Sequence, residues 1–319
     1  MPLHYDRDFE QAAAPFFAAR AARPFTLNTA LDIRAVMGPS TKAFMSAVPV
    51  PPGVTEEKHE IKSYDGQSIT VYRYWKKGAN KATPAVVHTH GGGMVFGEAN
   101  TAAGVLSTFV EKTGVQIFTV DYRLAPEHPF PTPPEDSYAA LAWVNQHASE
   151  LSVDPARIAT MGESAGGNLA AAISLMARDR GLSPPLAKQI LIYPMLDDRN
   201  VHEIITLKDL ALWTIHANRL CWSAYLGSDF GTDRVSQYAA PARAMTLEGL
   251  PATYIDVGQL DIFHGEAMQY AARLAEAGVE VEFSMFAGVP HIWDMCAPQC
   301  AIAKRAAEGR ERALSALWN

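Results

Sequence analysis

Cysteine is scarce in this 319-residue chain, with three in all. They are Cys221, Cys296 and Cys300. An odd, low count supports no disulfide framework and fits a reducing compartment. Cys296 and Cys300 are four apart and could face each other on a helix. They read as ordinary thiols, with a disulfide or a metal pair as the rival reading. Long apolar runs are also missing. No stretch approaches the roughly 18 residues that a membrane span needs, so none is expected. The N-terminal MPLHYDRDFE has no basic region followed by an apolar one, so no signal peptide is expected and a cytoplasmic protein is. Runs of Lys or Arg are absent, and the formal net charge is -7. Such an acidic chain is a poor partner for nucleic acid. There is no internal repeat and no low-complexity tract.

What is present is the composition of a soluble globular protein, 48% hydrophobic and 19% charged. A chain of this length buries a large core without disulfide or metal staples. Residues 1–50 are rich in Ala and Phe with helical spacing in places. Pro49-Val50-Pro51-Pro52-Gly53 then breaks the pattern as a boundary would. Beyond it, His59–Tyr64 and Ser68–Trp75 read as a hairpin turning at Asp65-Gly66. Six more apolar runs read as strands: Pro84–Thr89, Val115–Tyr122, Arg157–Met161, Leu186–Tyr193, Thr253–Val257 and Val279–Phe286. Helical stretches alternate with them at Thr101–Lys112, Pro133–His147, Ala165–Arg180 and Gly265–Ala277, the last followed by a capping Gly278. This alternation predicts an α/β protein with a mostly parallel sheet and helices on both faces. Residues 200–230 break the alternation. Leu210, Trp213, Ala217, Leu220 and Ala224 predict a helix there, read as a cover over one end of the sheet together with residues 1–50.

The strongest local signal is Gly162-Glu163-Ser164-Ala165-Gly166, after a strand and at the start of a helix. That is the context a nucleophile elbow requires: the serine stands out on a strained turn, so Gly162 and Gly166 must let strand and helix approach. A bare G-x-S-x-G arises by chance in roughly one chain in ten of this length at average glycine usage, so the pentapeptide needs partners. His90-Gly91-Gly92-Gly93 follows an earlier strand. Its exposed amides, with the N–H of Ala165 at the helix start, suit an oxyanion hole formed by Gly92, Gly93 and Ala165. The loop matches neither G-x-G-x-x-G nor a P-loop, which sets nucleotide binding aside. His88 and His90 share a strand face, but no third ligand lies nearby in sequence, so no metal is assigned. His90 reads as a fastener of the loop.

A general base and its acid must follow the serine in the order Ser, Asp or Glu, His. Four histidines come later: His202, His216, His264 and His291. His291 lies in a turn after the last predicted strand, where such a sheet places its chemistry. For the acid, Asp261 follows the strand Thr253–Val257. Asp256 lies within that strand, and Asp197 and Asp198 follow the strand before it. Asp261 has the right order and position to hold the imidazole.

With these residues in place, the chain resembles the bacterial hormone-sensitive-lipase-like (family IV) carboxylesterases of the α/β-hydrolase fold. The resemblance runs through His90–Gly93, Asp121–Pro131, Gly162–Asn168, the Asp261 loop and the His291 turn. It implies an eight-stranded, mostly parallel sheet with a helical cap drawn from residues 1–50 and 200–230, the catalytic domain spanning 54–319. It also implies cofactor-free hydrolysis of small-molecule esters with short to medium acyl chains. Many members dimerise through the last strand, which makes a homodimer one assembly to look for. An amidase, lactonase or carbohydrate deacetylase would use the same triad, and some proteins of this fold bind ligands without catalysis. Three departures stand out. Glu163 replaces the commoner Asp, which bears on how the elbow is tethered. Asp261-Ile262-Phe263 replaces Asp-Pro-Leu. Ile292-Trp293 replaces Gly-Phe after the histidine and is expected to narrow the pocket. Arg123 and Glu127, within Tyr122–Pro131, read as structural ties of a loop beside the glycine run.

Overall fold

The computed structural model describes residues 2–22, 25–78 and 81–319. Met1, Arg23 and Pro24, which belong to the region assigned to the cap, and Ala79 and Asn80 lie outside the described residues. Two helices come first, α1 (Arg7–Ala21) and α2 (Ala30–Met45). Asp6 caps α1 by accepting from the amides of Asp8 and Phe9. Thr29 and Asp32 form a reciprocal capping box on α2.

Eight strands form one sheet in the order β1-β2-β4-β3-β5-β6-β7-β8. They are β1 (Val54–Lys62), β2 (Ser68–Lys76), β3 (Thr83–Thr89), β4 (Gln116–Asp121), β5 (Val153–Glu163), β6 (Lys188–Ile192), β7 (Ala252–Gly258) and β8 (Val281–Phe286). β1 and β2 pair antiparallel, as do β2 and β4, and every other pairing is parallel. Each of the eight strands overlaps one of the stretches read as strands, with β1 starting five residues before His59 and β5 four before Arg157, and the break at Pro49–Gly53 falls just before β1. The alternation of strand and helix was therefore a sound guide to an α/β-hydrolase sheet.

The crossover helices are α3 (Ala103–Thr113), α4 (Thr132–Gln146), α5 (Ala165–Asp179), α6 (Ile215–Leu226) and α7 (His264–Glu276), followed by α8 (Trp293–Cys296) and α9 (Ala301–Ser315). Apolar side chains fill both faces of the sheet. On one, Leu106 and Phe109 of α3 and Ala303 and Ala306 of α9 share a core with Val86, Ile117 and Ala159. On the other, Leu141 and Val144 of α4 and Leu169 and Ile173 of α5 pack with Val87, Phe118 and Ile158. Each fully buried Leu, Ile or Phe contributes about 1.5–3 kcal/mol of hydrophobic stabilisation.

Two expectations need correction. The helix expected to include Leu210 and Trp213 begins only at Ile215, because Thr214 accepts from the amide of Ala217 and caps it. Leu210 and Trp213 lie in the irregular segment before it. α9 was not anticipated: its buried residues are Ala303, Ala306, Gly309, Arg310, Ala313 and Leu314, of which only Leu314 is a large apolar side chain.

The two segments outside the alternation touch each other. The Tyr5 hydroxyl donates to Leu210 O at 2.7 Å. Both terminal nitrogens of Arg20 donate to Leu212 O at 3.2 Å. His216 Nε2 meets Leu27 O at 2.7 Å. Register does the rest of the positioning. Thr89 of β3 stands beside Gly162 of β5, Glu163 beside Ile192 of β6, and Ile192 beside Asp256 of β7. The carboxyl ends of four strands, and the loops that leave them, thus meet at one edge.

Candidate active site

Ser164 follows β5 directly and is the residue before α5. Its φ of 58° lies in the left-handed region, costly for a residue with a side chain. The turn is that sharp because strand and helix nearly touch. A Cβ on Gly162 would lie 2.2 Å from Gly166 O, and one on Gly166 would lie 1.9 Å from Thr89 O. The strain is held by the Ser164 amide, which donates to Ile192 O at 2.9 Å, and by its carbonyl, which accepts from Met195 N at 3.1 Å.

Ser164 Oγ lies 2.9 Å from His291 Nε2. His291 Nδ1 lies 2.5 Å from Asp261 Oδ2. The other carboxylate oxygen accepts from Phe263 N at 3.0 Å, which closes the Asp261-Ile262-Phe263 loop. Asp261 is fully buried, and His291 is 3% exposed. Three rings enclose the imidazole: Tyr193 at 4.8 Å, Phe263 at 5.1 Å and Trp213 at 6.3 Å between centroids. Shielded from water, charges that develop here interact more strongly than in solvent.

The rival residues are engaged elsewhere. Asp256 binds Arg310 Nε at 2.7 Å, and Arg310 also meets Asp294. Asp198 pairs with Arg243 at 2.6 Å and Asp197 with Arg199 at 2.7 Å. His264 Nδ1 contacts Asp261 O, and His202 is exposed. Among the described residues, no three His, Cys, Asp or Glu side chains gather as a metal site requires. The three cysteines are free and buried.

The glycine run leaves β3 and folds beside the serine. Gly92 has φ 125°, and a Cβ there would overlap Phe96 O at 1.9 Å, so only glycine makes this turn. The amides of Gly92, Gly93 and Ala165 donate to no other described residue. Unpartnered amides beside a buried serine suit a developing negative charge. His90 fastens the loop: its Nδ1 meets Gly91 O at 2.8 Å, its carbonyl accepts from the Tyr122 hydroxyl at 2.7 Å, and its ring stacks on Tyr122. Arg123 and Glu127 tie down structure as read. Arg123 holds the buried Asp136 and reaches Asp65, while Glu127 pairs with Arg34 of α2.

Three neighbours of the site were not legible in the sequence. Trp213 and Cys221 come from the segment around α6, and both crowd the space above Gly93. Tyr193 backs the imidazole from the end of β6 at φ 32°. A tryptophan before a Thr cap was the available signal for the first of these. Trp293, expected to narrow a pocket, is instead buried in the core against Tyr193 and Phe286.

Comparison with known proteins gives a consistent picture. The alpha/beta hydrolase fold family matches residues 86–295. The chain is 34% identical over 292 residues to Carboxylesterase NlhH of Mycobacterium tuberculosis, spanning 86% of this chain and 87% of that one. It is 32% identical to an arylesterase of Saccharolobus solfataricus, over 73% and 75% of the two chains. Among solved structures, a bacterial heroin esterase superposes with a TM-score of 0.89 at 33% identity, over 99% of this chain and 98% of that one. Esterase LipW from Mycobacterium marinum follows the chain with a TM-score of 0.85 at 30% identity, over 99% and 96%.

Proposed function

The chain belongs to the hormone-sensitive-lipase-like branch of the α/β-hydrolase family and is a serine carboxylesterase, and from that premise we propose that Ser164 is its nucleophile, His291 its general base and Asp261 the acid that orients the base. One observation carries the assignment: the unbroken row from Ser164 Oγ through the imidazole to the Asp261 carboxylate, at 2.9 and 2.5 Å.

The reaction runs through an acyl-enzyme. His291 Nε2 takes the proton from Ser164 Oγ as the oxygen attacks the ester carbonyl. The carbonyl electron pair moves onto oxygen, which the amides of Gly92, Gly93 and Ala165 receive. Asp261 accepts the Nδ1–H, fixes the tautomer and stabilises the imidazolium. When the tetrahedral centre collapses, His291 protonates the departing alcohol. Water, deprotonated by the same imidazole, then releases the carboxylic acid and restores the serine. Every proton passes through one nitrogen, and no cofactor takes part.

Residues 1–50 and 200–230 act together as the cap of the catalytic domain 54–319. Their mutual hydrogen bonds and the seating of Trp213 and Cys221 on the glycine loop support this. The crowding by Trp213 favours short to medium acyl chains. No helix among the described residues is long and apolar enough to cross a membrane. Three free thiols are consistent with a cytoplasmic enzyme. Among the described residues β8 pairs only with β7 and leaves a backbone edge through which a homodimer would join.

The test is Ser164→Ala on a series of p-nitrophenyl esters of increasing acyl length, run beside an amide and a lactone. The expected result is a fall of about 10⁴-fold or more in kcat with an unchanged melting curve, and parent rates highest on short and medium esters. Near-parent activity in the variant would remove Ser164 from the mechanism.

A further inference from the structure

A second imidazole–carboxylate pair lies directly behind the first, and the acyl-transfer steps make no use of it. Glu163 is the last residue of β5 and the peptide neighbour of Ser164. His88, fully buried on β3, donates from Nε2 to Glu163 Oε2 at 2.8 Å. The far side of that ring is fixed too, with Nδ1 2.8 Å from Thr119 Oγ1 on β4. The other oxygen, Glu163 Oε1, accepts from the amide of Gly91 at 3.3 Å. Gly91 also rests on the elbow itself: a Cβ there would lie 3.1 Å from Glu163 O and 3.5 Å from Ser164 Cβ.

One side chain thus joins three parts that must keep their spacing: the elbow, the sheet interior and the glycine loop. Burial pushes the Glu163 carboxyl up, but the charge and hydrogen bond of His88, then the charge of His90 and the amide of Gly91, outweigh it and hold the group below the usual carboxylate range. An anion bonded to two donors at fixed angles is a stiff connection.

We propose that Glu163 is a positioning residue for the oxyanion hole, a carboxylate bridge from His88 to Gly91 that sets where the next amides, those of Gly92 and Gly93, point relative to Ser164 Oγ. This rests on the assignment of those amides to the oxyanion made above. Both of its partners are donors. Glutamine, nearly identical in shape, offers one acceptor and one NH2: with the present His88 tautomer it loses one partner, and with the other tautomer, Nδ1–H donating to Thr119 Oγ1, it keeps both only as weaker neutral bonds in place of charge-assisted ones. The loop then shifts by a fraction of an ångström, and the amides are misaimed.

The readout is selective for the hole. A developing oxyanion draws strength from aligned amides, whereas the larger thiolate-like anion of a thionoester accepts hydrogen bonds poorly. The parent enzyme and Glu163→Gln are compared on p-nitrophenyl acetate and on its thiono analogue, in which C=S replaces C=O. The expected result for the variant is kcat on the ester lower by about tenfold, KM within about twofold, and an ester-to-thionoester rate ratio lower by about fivefold. The ratio does not depend on the fraction of active enzyme, so partial unfolding cannot imitate the effect. Should Glu163→Gln not accumulate, Glu163→Asp keeps the charge but falls short of Gly91 and carries the same expectation. An unchanged ratio in the variant measured, or a change in KM alone, overturns the proposal. If Ser164→Ala retains activity, the assignment of the nucleophile fails; if Ser164→Ala is inactive while the ratio is unmoved, only the role of Glu163 does.

Discussion

Asp261→Asn discriminates between a carboxylate that merely packs beside His291 and one that sets its tautomer. The substitution changes almost no volume at a fully buried position. Its effect follows from two contacts. Oδ1 accepts from Phe263 N at 3.0 Å, and Oδ2 faces His291 Nδ1 at 2.5 Å. An asparagine keeps the backbone bond only by turning its oxygen to Phe263, which turns its NH2 to Nδ1. The imidazole must then accept at Nδ1 and carry its proton on Nε2, the nitrogen that should take the proton from Ser164. The flipped amide restores the tautomer but sets NH2 against the Phe263 amide, an unmet buried donor costing about 1–3 kcal/mol. It also lacks the negative charge that stabilises the imidazolium. The expected fall in kcat is about 10⁴-fold, or about 5.5 kcal/mol in the barrier, as for other triads so altered. Steady-state hydrolysis of a p-nitrophenyl ester measures it, with near-UV circular dichroism and the melting curve confirming that the variant is folded. A loss smaller than tenfold in correctly folded enzyme would refute the orienting role and return Asp261 to the core.

Two further predictions concern what holds the site in place. Arg310→Leu strands the buried carboxylate of Asp256 and leaves the partly buried one of Asp294, three residues beyond His291, without its cation, and stability should fall by about 3–5 kcal/mol in urea titration; a loss under about 1 kcal/mol would mean that Asp256 is not a buried charge dependent on Arg310. Glu127 is held down to about 2 by its two hydrogen bonds to Arg34, which tie α2 to the loop beside the glycine run. A depressed carboxylate stabilises fully above its unfolded value, near 4.3, and loses that contribution as pH falls through about 2. The pair is half exposed and screened, so Glu127→Gln should cost only about 0.5 kcal/mol at neutral pH, on the order of 1 °C in Tm. That gap should shrink below about pH 4 and in high salt, and a gap indifferent to both would exclude the ion pair as its cause.

What the sequence made legible was whatever backbone geometry forces on residue identity. Gly162 and Gly166 could be read because any side chain there collides with backbone, and Gly92 because its φ is positive and its Cβ would meet Phe96 O. His291 and Asp261 could be read because chain order and strand ends left few candidates. The central strands of the sheet could be read because burial on both faces leaves no polar face to interrupt the run, as β3 illustrates with all seven residues buried. Residues placed by tertiary contact alone were opaque. Trp213 fits a helical period with Ala217 and Leu220, yet it stands before the Thr214 cap and is held by Gly93 and the His291 ring. The Arg310, Asp256 and Asp294 cluster joins positions 54 and 16 residues apart, which no local pattern encodes. His88 and Glu163 stood in view, each beside a recognised motif, but their pairing depends on the β3–β5 register.

The distribution of strained backbone ties these strands of reasoning together. Five described residues other than glycine have positive φ: Met94, Ser152, Ser164, Tyr193 and Ile292. Four of the five lie on the loops that surround the triad. Met94 follows the glycine run, Ser164 is the proposed nucleophile, Tyr193 backs the imidazole and Ile292 follows His291. Each such residue costs on the order of 1 kcal/mol or more, so four together consume a sizeable share of a marginal folding stability. They persist because the surroundings over-determine them: the amide of Ser164 is bound by β6, that of Tyr193 by Asp256 O at 2.7 Å, and Met94 O accepts from Ala125 N at 2.9 Å. Strain gathered at one end of the sheet and fixed by bonds from neighbouring strands is what pre-organisation requires. The proposed nucleophile, base and amides are set in place by folding, so their alignment costs little further when an ester arrives.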